Sequence, residues 1–427
     1  MKLTKPENES YAATVVTIKE VHPFPGSDNI VGTNLFGFQA IVGVATQSGE
    51  RGIVFPPETQ LSEEYAKENN LHQHGDLNKD QGAKGYLGDN RRIRAIRLRG
   101  NRSDCLFMPL SSLSYIKGLD TSKLADGDTF DTIGDNAICN KYVIKRSIRE
   151  QRLDKNKDKF IRVDKKFLPE HYDSDQWYKH SESVPGETTV IVTQKLHGTS
   201  IRVGHTIVTR KLTIRDRFAK VIGARIQENE MDYVFGSRKV IKDINNPNQN
   251  HFYSTDIWTD EGRKLEGIIP ENFLVYGELL GWTPNGAAIQ KNYTYQIPHA
   301  TCDLYVYRVA FVNGQGKVVD LSWDQVKEFC KDTGLRHVPE LWRGKKSELQ
   351  LDADGQPFQF IDQRFHESGY VQAVPLDKES PVDEGVCIRV DGLAPYILKA
   401  KGPQFYEHET KMLDEEAEDL EAEGSEA

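Results

Sequence analysis

A chain of 427 residues, 37% of them hydrophobic and 28% charged, is long enough to build two or three cored domains. No stretch is apolar enough to span a membrane, and Met1-Lys2-Leu3-Thr4-Lys5-Pro6-Glu7 lacks the apolar core of an export signal, so a cytoplasmic protein with no membrane partner is expected. The net charge of −9 excludes little, because residues 412–427 carry eight acids and no base; without them the body stands near −1, free to meet a polyanion.

Residues 11–55 show short β-type runs at 13–18, 30–36, 39–45 and 52–55, punctuated by turn formers such as His22-Pro23-Phe24-Pro25-Gly26-Ser27-Asp28. A short helix is expected at 62–70, then a Gly-rich loop to Gly88, then strands at 93–98 and 105–109. Five or six strands with one helix outline a small OB-like barrel over 1–120. Within it Arg91, Arg92, Arg94, Arg97, Arg99 and Arg102 crowd into twelve residues, with Asp89 and Asp104 nearby. Two acids do not balance six guanidiniums, so nucleic-acid contact by Arg91, Arg94, Arg97 and Arg99 is expected, against a solvated strand face as the competing reading.

Residues 121–181 read as a basic connector, partly helical at 142–153, either solvated or touching phosphate. The five cysteines, Cys105, Cys139, Cys302, Cys330 and Cys387, form no C-x-x-C pair and read as reduced thiols.

A second domain is expected over 182–409. Val190-Ile191-Val192 leads into Gln194-Lys195-Leu196-His197-Gly198-Thr199-Ser200, and Ile201-Arg202-Val203 leaves it. The pattern predicts two short strands joined by a tight turn at Gly198, with Lys195 presented at the corner. Alone, this is equally an ordinary hairpin lysine. Downstream come Ser237-Arg238, then Tyr276-Gly277-Glu278 closing an apolar strand, then Tyr305 and Tyr307 on one strand face. Glu384-Gly385-Val386-Cys387-Ile388-Arg389 and Leu398-Lys399-Ala400-Lys401 follow, with Lys399 and Lys401 on one side of their strand.

That order resembles the covalent nucleotidyltransferases, the polynucleotide ligases and mRNA capping enzymes. His197, in a place where DNA ligases and capping enzymes carry Asp, and Ala288-Ile289-Gln290-Lys291-Asn292 resemble the nick-sealing RNA ligases of T-even phage type. An OB-like module ahead of the lysine domain is similar to the Deinococcus-type RNA ligases. The resemblance implies an ATP-dependent RNA ligase working through lysyl-AMP on nicked RNA-containing duplexes or broken RNA, acting in RNA repair as a monomer. The implied fold is α+β: the OB-like barrel, then a two-sheet nucleotidyltransferase (adenylation) domain, then an acidic disordered tail at 410–427. A DNA ligase, a GTP-using capping enzyme or an inactive nucleic-acid-binding protein are the alternatives; the first two carry an OB domain after L-K-x-K, for which this chain has no room.

The chemistry needs these residue types. A lysine attacks the α-phosphorus of ATP only as the neutral amine, against a reference pKa of about 10.4. Arg238, Lys399, Lys401 and Mg²⁺ or Mn²⁺ would favour that form and neutralise the triphosphate. Glu278 and Glu384 would hold ribose or the water shell of the metal, or else pair with Arg202 or Arg389. Tyr307 would stack on adenine, or sit in the core. Gln194 would read the adenine edge. The resemblance assigns Gly198 and Ser200 to the nucleotide, His197 to phosphate orientation or AMP transfer, and Gln290 to nucleic acid. Ser200 stands where the phage enzymes have Asn, and the stretch between Ser200 and Arg238 is longer than theirs.

Overall fold

The computed structural model describes residues 3–6, 8–143, 162–244, 253, 255–353, 355–357, 360, 374–377 and 383–415. Most of the helix expected at 142–153 lies outside the described residues, as does the tail beyond Glu415.

The N-terminal unit is a set of small antiparallel sheets. Ala13–Thr17 and Arg51–Phe55 form the centre of a four-stranded sheet, flanked by Thr129–Phe130 and Leu106–Pro109. His22–Pro23, Ile30–Leu35 and Phe38–Gly43 make a second sheet. Three two-stranded ribbons complete the unit, and among the described residues these pairings do not close into one barrel. The helix Glu63–Glu68 starts where the Ser62 hydroxyl accepts the Tyr65 N–H, and it buries Tyr65 and Ala66 in the core. The boundary expected at 120 falls inside this unit. Phe130, Ile133, Ile138 and Cys139 are buried in its core, so the chain cannot leave it before Lys141.

The second unit stacks two sheets. One has five strands in the order Asp175–Gln176, Tyr396–Lys401, Gly385–Val390, Thr189–Lys195, Glu340–Lys345. The other orders Asn229–Gly236, Thr199–Thr209, Phe273–Gly281, Cys302–Val312 and Val318–Asp320, with Arg336–His337 added alongside Cys302–Val312. Two pairings are parallel, Asp175–Gln176 on Tyr396–Lys401 and Arg336–His337 on Cys302–Val312; the rest are antiparallel. Period-two alternation sets the layers. In the lysine strand, Ile191 joins the large core with Ile201, Val203, Val275 and Leu279, whereas Val190 and Val192 join Trp177 and Leu398 in a separate cluster. Phe167, Leu168 and Trp177 are buried within this unit, so the stretch from 162 to 181 is part of it and not of a linker.

The closing helix, Pro403–Asp414, wedges between the units. Proline at its start has no N–H to leave unsatisfied. Phe405 packs into the large core of the second unit, while its neighbour Tyr406 packs against Phe38 of the N-terminal unit, ring centroids 5.4 Å apart. The helix runs to Asp414, past the tail boundary expected at 410, because Thr410 and Asp414 are held by the N-terminal unit.

The arginine run explains that hold. Buried Arg92 bonds Glu58 at 3.0 Å and reaches Asp414. Arg94 lies 3.7 Å from Asp414, Arg97 pairs with Glu407 at 2.9 Å, and Arg102 pairs with buried Asp104 at 2.7 Å. Counting only Asp89 and Asp104 therefore missed Glu58, Glu407 and Asp414, which the fold brings in from far along the chain. Arg91 bonds the Leu61 carbonyl at 3.1 Å, and Arg99 stays exposed.

Candidate active site

The lysine strand lies in one sheet and Thr199–Thr209 in the other, so Leu196-His197-Gly198 is a crossover between sheets and not a hairpin turn. Gly198 is required by close approach: a Cβ there would lie 2.2 Å from the Leu279 carbonyl oxygen. The crossover is held on several sides. Glu278 accepts the Gly198 N–H at 3.1 Å and the Ser200 hydroxyl at 3.2 Å. The Tyr295 hydroxyl accepts the His197 N–H at 2.8 Å.

Lys195 Nζ sits 2.6 Å from Oε1 of Glu384, a carboxylate with no solvent exposure. Lys401 Nζ lies 3.2 Å from the same oxygen and 3.2 Å from Glu409 of the closing helix. A solvated edge strand is excluded for the L-K-x-K strand, which is flanked on both sides within its sheet and buries Lys401. Lys399 is half-buried on the same strand face. His197 Nδ1 is 3.8 Å from Glu384 Oε2, and its ring meets Tyr293 and Phe405 edge-on at 5.0 and 5.1 Å. Arg202 bonds the Ser237 and Leu168 carbonyls, and Arg389 bonds Asp391 and the Leu321 carbonyl. The acids Glu278 and Glu384 thus serve the lysine crossover rather than those arginines.

Tyr307 shares a 2.5 Å hydrogen bond with His171 Nδ1. Burial, with Arg202 and Arg238 nearby, holds His171 well below its ordinary value, so it is neutral. Burial, with Glu278 adding to it, pushes the Tyr307 phenol up. Arg238 lies 3.4 Å from Asp173.

Two amides do other work than the sequence implied. Gln194, on the opposite strand face from Lys195, donates to the Val374 carbonyl at 3.1 Å and to Asp383 at 3.0 Å, and accepts the Val374 N–H at 2.8 Å. Both its donors are committed, which removes it as a reader of a base edge. Gln290 is buried and donates to the Gly198 carbonyl at 2.9 Å, pinning the crossover rather than facing nucleic acid.

Sequence reasoning missed Tyr293, Tyr295, Phe405, His408 and Glu409. The last three stand at i, i+3 and i+4 on the helix after L-K-x-K, a one-face signal that was available. Burial, with His197 and Lys411 nearby, lowers His408 to about 4, leaving it neutral.

Among the described residues no group of three or more His, Cys, Asp and Glu is arranged to hold a metal. Glu278 and Glu384 nonetheless suit a hydrated hard cation, which takes one or two carboxylates together with substrate phosphates. Among the described residues no helix is long and apolar enough to cross a membrane. The site sets the Lys195 amine on a buried carboxylate, with the Lys401 amine on the same oxygen.

A family model described as RNA ligase matches residues 188–401, spanning the lysine strand through L-K-x-K. No curated protein matches the chain. Among solved structures it is similar to Naegleria gruberi RNA ligase with pyrophosphate, TM-score 0.58 at 17% identity over 95% of this chain and 99% of that one. An apo mutant of the same ligase gives TM-score 0.57 at 17% identity, covering 93% and 98%. A mutant with ATP and Mn gives 0.55 at 16%, covering 95% and 99%. At such identity the likeness is one of fold.

Proposed function

The chain belongs to the RNA ligase family, and from that premise we propose that it is an ATP-dependent enzyme joining RNA 3′-hydroxyl and 5′-phosphate ends. The observation that carries the reading is Lys195 Nζ at 2.6 Å from buried Glu384, with Lys401 on the same carboxylate oxygen. The reading is further supported by the Naegleria gruberi ligase of similar fold, seen with ATP and Mn.

In the first step the neutral Lys195 amine attacks the α-phosphorus of ATP; a P–N bond forms, the bond from that phosphorus to the α,β-bridging oxygen breaks, and pyrophosphate leaves while the nitrogen gives up one proton to it or to solvent. Lys401 and Lys399 offset the phosphate charge from one strand face, and Arg238 adds to them. Mg²⁺ or Mn²⁺, held through water by Glu278 and Glu384, would supply charge neutralisation and orientation of the leaving group. A 5′-phosphate oxygen then attacks the lysyl-AMP phosphorus, breaking the P–N bond and returning the proton to Lys195. Finally the 3′-hydroxyl attacks that 5′-phosphorus and AMP departs. His197, beside Glu384, is read as orienting phosphate during AMP transfer. Tyr307, its ring fixed through His171, is read as the face for adenine.

The N-terminal unit is read as an OB-like module that holds a nicked RNA-containing duplex. Support comes from a polar surface groove lined by Phe24, Asn34, Gln39, Arg97, Asn101 and Arg102, with exposed Arg99 adjacent in sequence. RNA repair in the cytoplasm by a monomer completes the reading.

The test is labelling. Incubation with α-labelled ATP and Mn²⁺ yields an acid-labile protein–AMP adduct that Lys195→Ala abolishes and that GTP scarcely forms. An adduct persisting in Lys195→Ala would sink the assignment. Sealing of matched nicked duplexes differing only in the sugar at the 3′-hydroxyl or 5′-phosphate side then decides RNA against DNA.

A further inference from the structure

Lys401 is buried, and its ammonium lies between two carboxylates from different elements: Glu384 at 3.2 Å, in the neighbouring strand region, and Glu409 at 3.2 Å, on the closing helix. Glu384 also carries Lys195 at 2.6 Å. Two lysine amino groups thus face two buried carboxylates, and one of those, Glu409, lies outside the 188–401 stretch that matches the family model. Glu409 thus draws Lys401 away from the carboxylate that Lys401 shares with Lys195. The helix that carries Glu409 is itself fixed. The next residue, Thr410, accepts the Ala95 N–H at 3.0 Å and donates to Glu58 at 2.5 Å, while Phe405 lies under the Lys401 ammonium at 5.2 Å.

We infer that Glu409 is the positioning residue of Lys401, setting where that ammonium stands when the α-phosphate of ATP arrives. This rests on the reading of Lys401 as a phosphate ligand in lysyl-AMP formation. In this role Glu409 acts through Lys401, which it pulls toward the helix.

The experiment is a double-mutant cycle on the rate of lysyl-AMP formation, with Glu409→Gln, Lys401→Ala and the pair together. Glu409→Gln is expected to raise KM for ATP about tenfold, as for loss of a charged hydrogen bond, with a smaller effect on kcat. In the Lys401→Ala background the same substitution is expected to change nothing further. Glu409→Asp keeps the charge on a shorter arm and should recover part of the lost affinity. A Lys401→Ala protein that adenylates normally would overturn the underlying reading of Lys401. A Lys401→Ala defect combined with wild-type KM in Glu409→Gln, or with fully additive effects, would overturn the positioning role alone. Should Glu409→Gln melt early, the charge-keeping Glu409→Asp decides: a KM effect of Glu409→Asp that persists undiminished in the Lys401→Ala background overturns the inference.

Discussion

Gly198 leaves the lysine crossover almost no slack. Its missing side chain lets the loop pass the Leu279 carbonyl, where an added Cβ would meet that oxygen at 2.2 Å, backbone against backbone. Gly198→Ala therefore has to shift the crossover, at a cost of about 1–3 kcal/mol, and with it the amine of Lys195. The expected outcome is a lower melting temperature by thermal denaturation and loss of most AMP-adduct formation; a normal adduct yield would mean the crossover moves freely. Tyr295→Phe is a finer cut. It deletes the acceptor of the His197 N–H while keeping the ring in the core, and should cost roughly 1–3 kcal/mol for the orphaned N–H. At this scale the sequence picked out residues that the fold does bring together: Lys195 and Lys401 meet at Glu384, and Glu278 holds the crossover between the sheets. It was unreadable where a side chain's role depends on which backbone group it meets. Gln194 and Gln290 show this: an amide serves a base edge, the Val374 backbone or the Gly198 carbonyl equally well, and only the fold chooses.

The closing helix shows what local reading leaves out at the scale of elements. Its first turn is set locally by Pro403, but its docking depends on Glu58, Arg92 and Ala95, more than three hundred residues earlier. Strands were legible from their alternation, whereas the assignment of Lys195 and Thr199 to different sheets was not, since a crossover and a hairpin share the same pattern. Thr410→Val tests the docking. It removes the acceptor of the Ala95 N–H and a donor to Glu58 at once, so roughly 1–3 kcal/mol of stability should be lost for each group left buried without a partner. Glu58 adds a pH dependence. Burial raises its carboxyl from 4.5 to about 7, against the pull of Arg92. Between those values the folded protein holds a proton that the unfolded chain gives up. Glu58 thus contributes stability that is present below about 4.5 and lost as pH rises toward about 7. Other groups titrate in this window, so the readout is a difference. The stability of wild type minus that of Glu58→Gln, from urea unfolding, should fall as pH rises from 4.5 to 7. A difference that rises instead would show Glu58 ionised in the folded state.

At the scale of the molecule, the two units share more than a linker, and this decides how the N-terminal unit can be tested. Deleting it would strip Tyr406, Thr410 and Asp414 of their partners on the helix that also carries Glu409 and Phe405. Loss of sealing in such a truncation would then report helix docking as much as RNA binding. Charge reversal at Arg94 or Arg97 has the same defect, since these side chains answer Asp414 and Glu407. Arg99 is the cleaner probe. It sits with Gly100 in the two-residue turn between Ile96–Leu98 and Asn101–Ser103, both at positive φ, 51° and 84°, as a tight hairpin requires. Its side chain is exposed, and the next residue, Gly100, lines the groove with Arg97, Asn101 and Arg102. If this face binds a nicked duplex, as proposed, it does so largely by phosphate neutralisation, and removing one such contact should weaken affinity and lower the salt slope by roughly one. Arg99→Glu should leave lysyl-AMP formation and melting temperature unchanged, slow the sealing of a pre-adenylated nicked RNA duplex, and flatten the dependence of that rate on salt. Both activities are measured in one preparation, so a folding defect would lower both. Sealing and salt slope equal to wild type would place the RNA elsewhere and leave this arginine run the task of docking the closing helix.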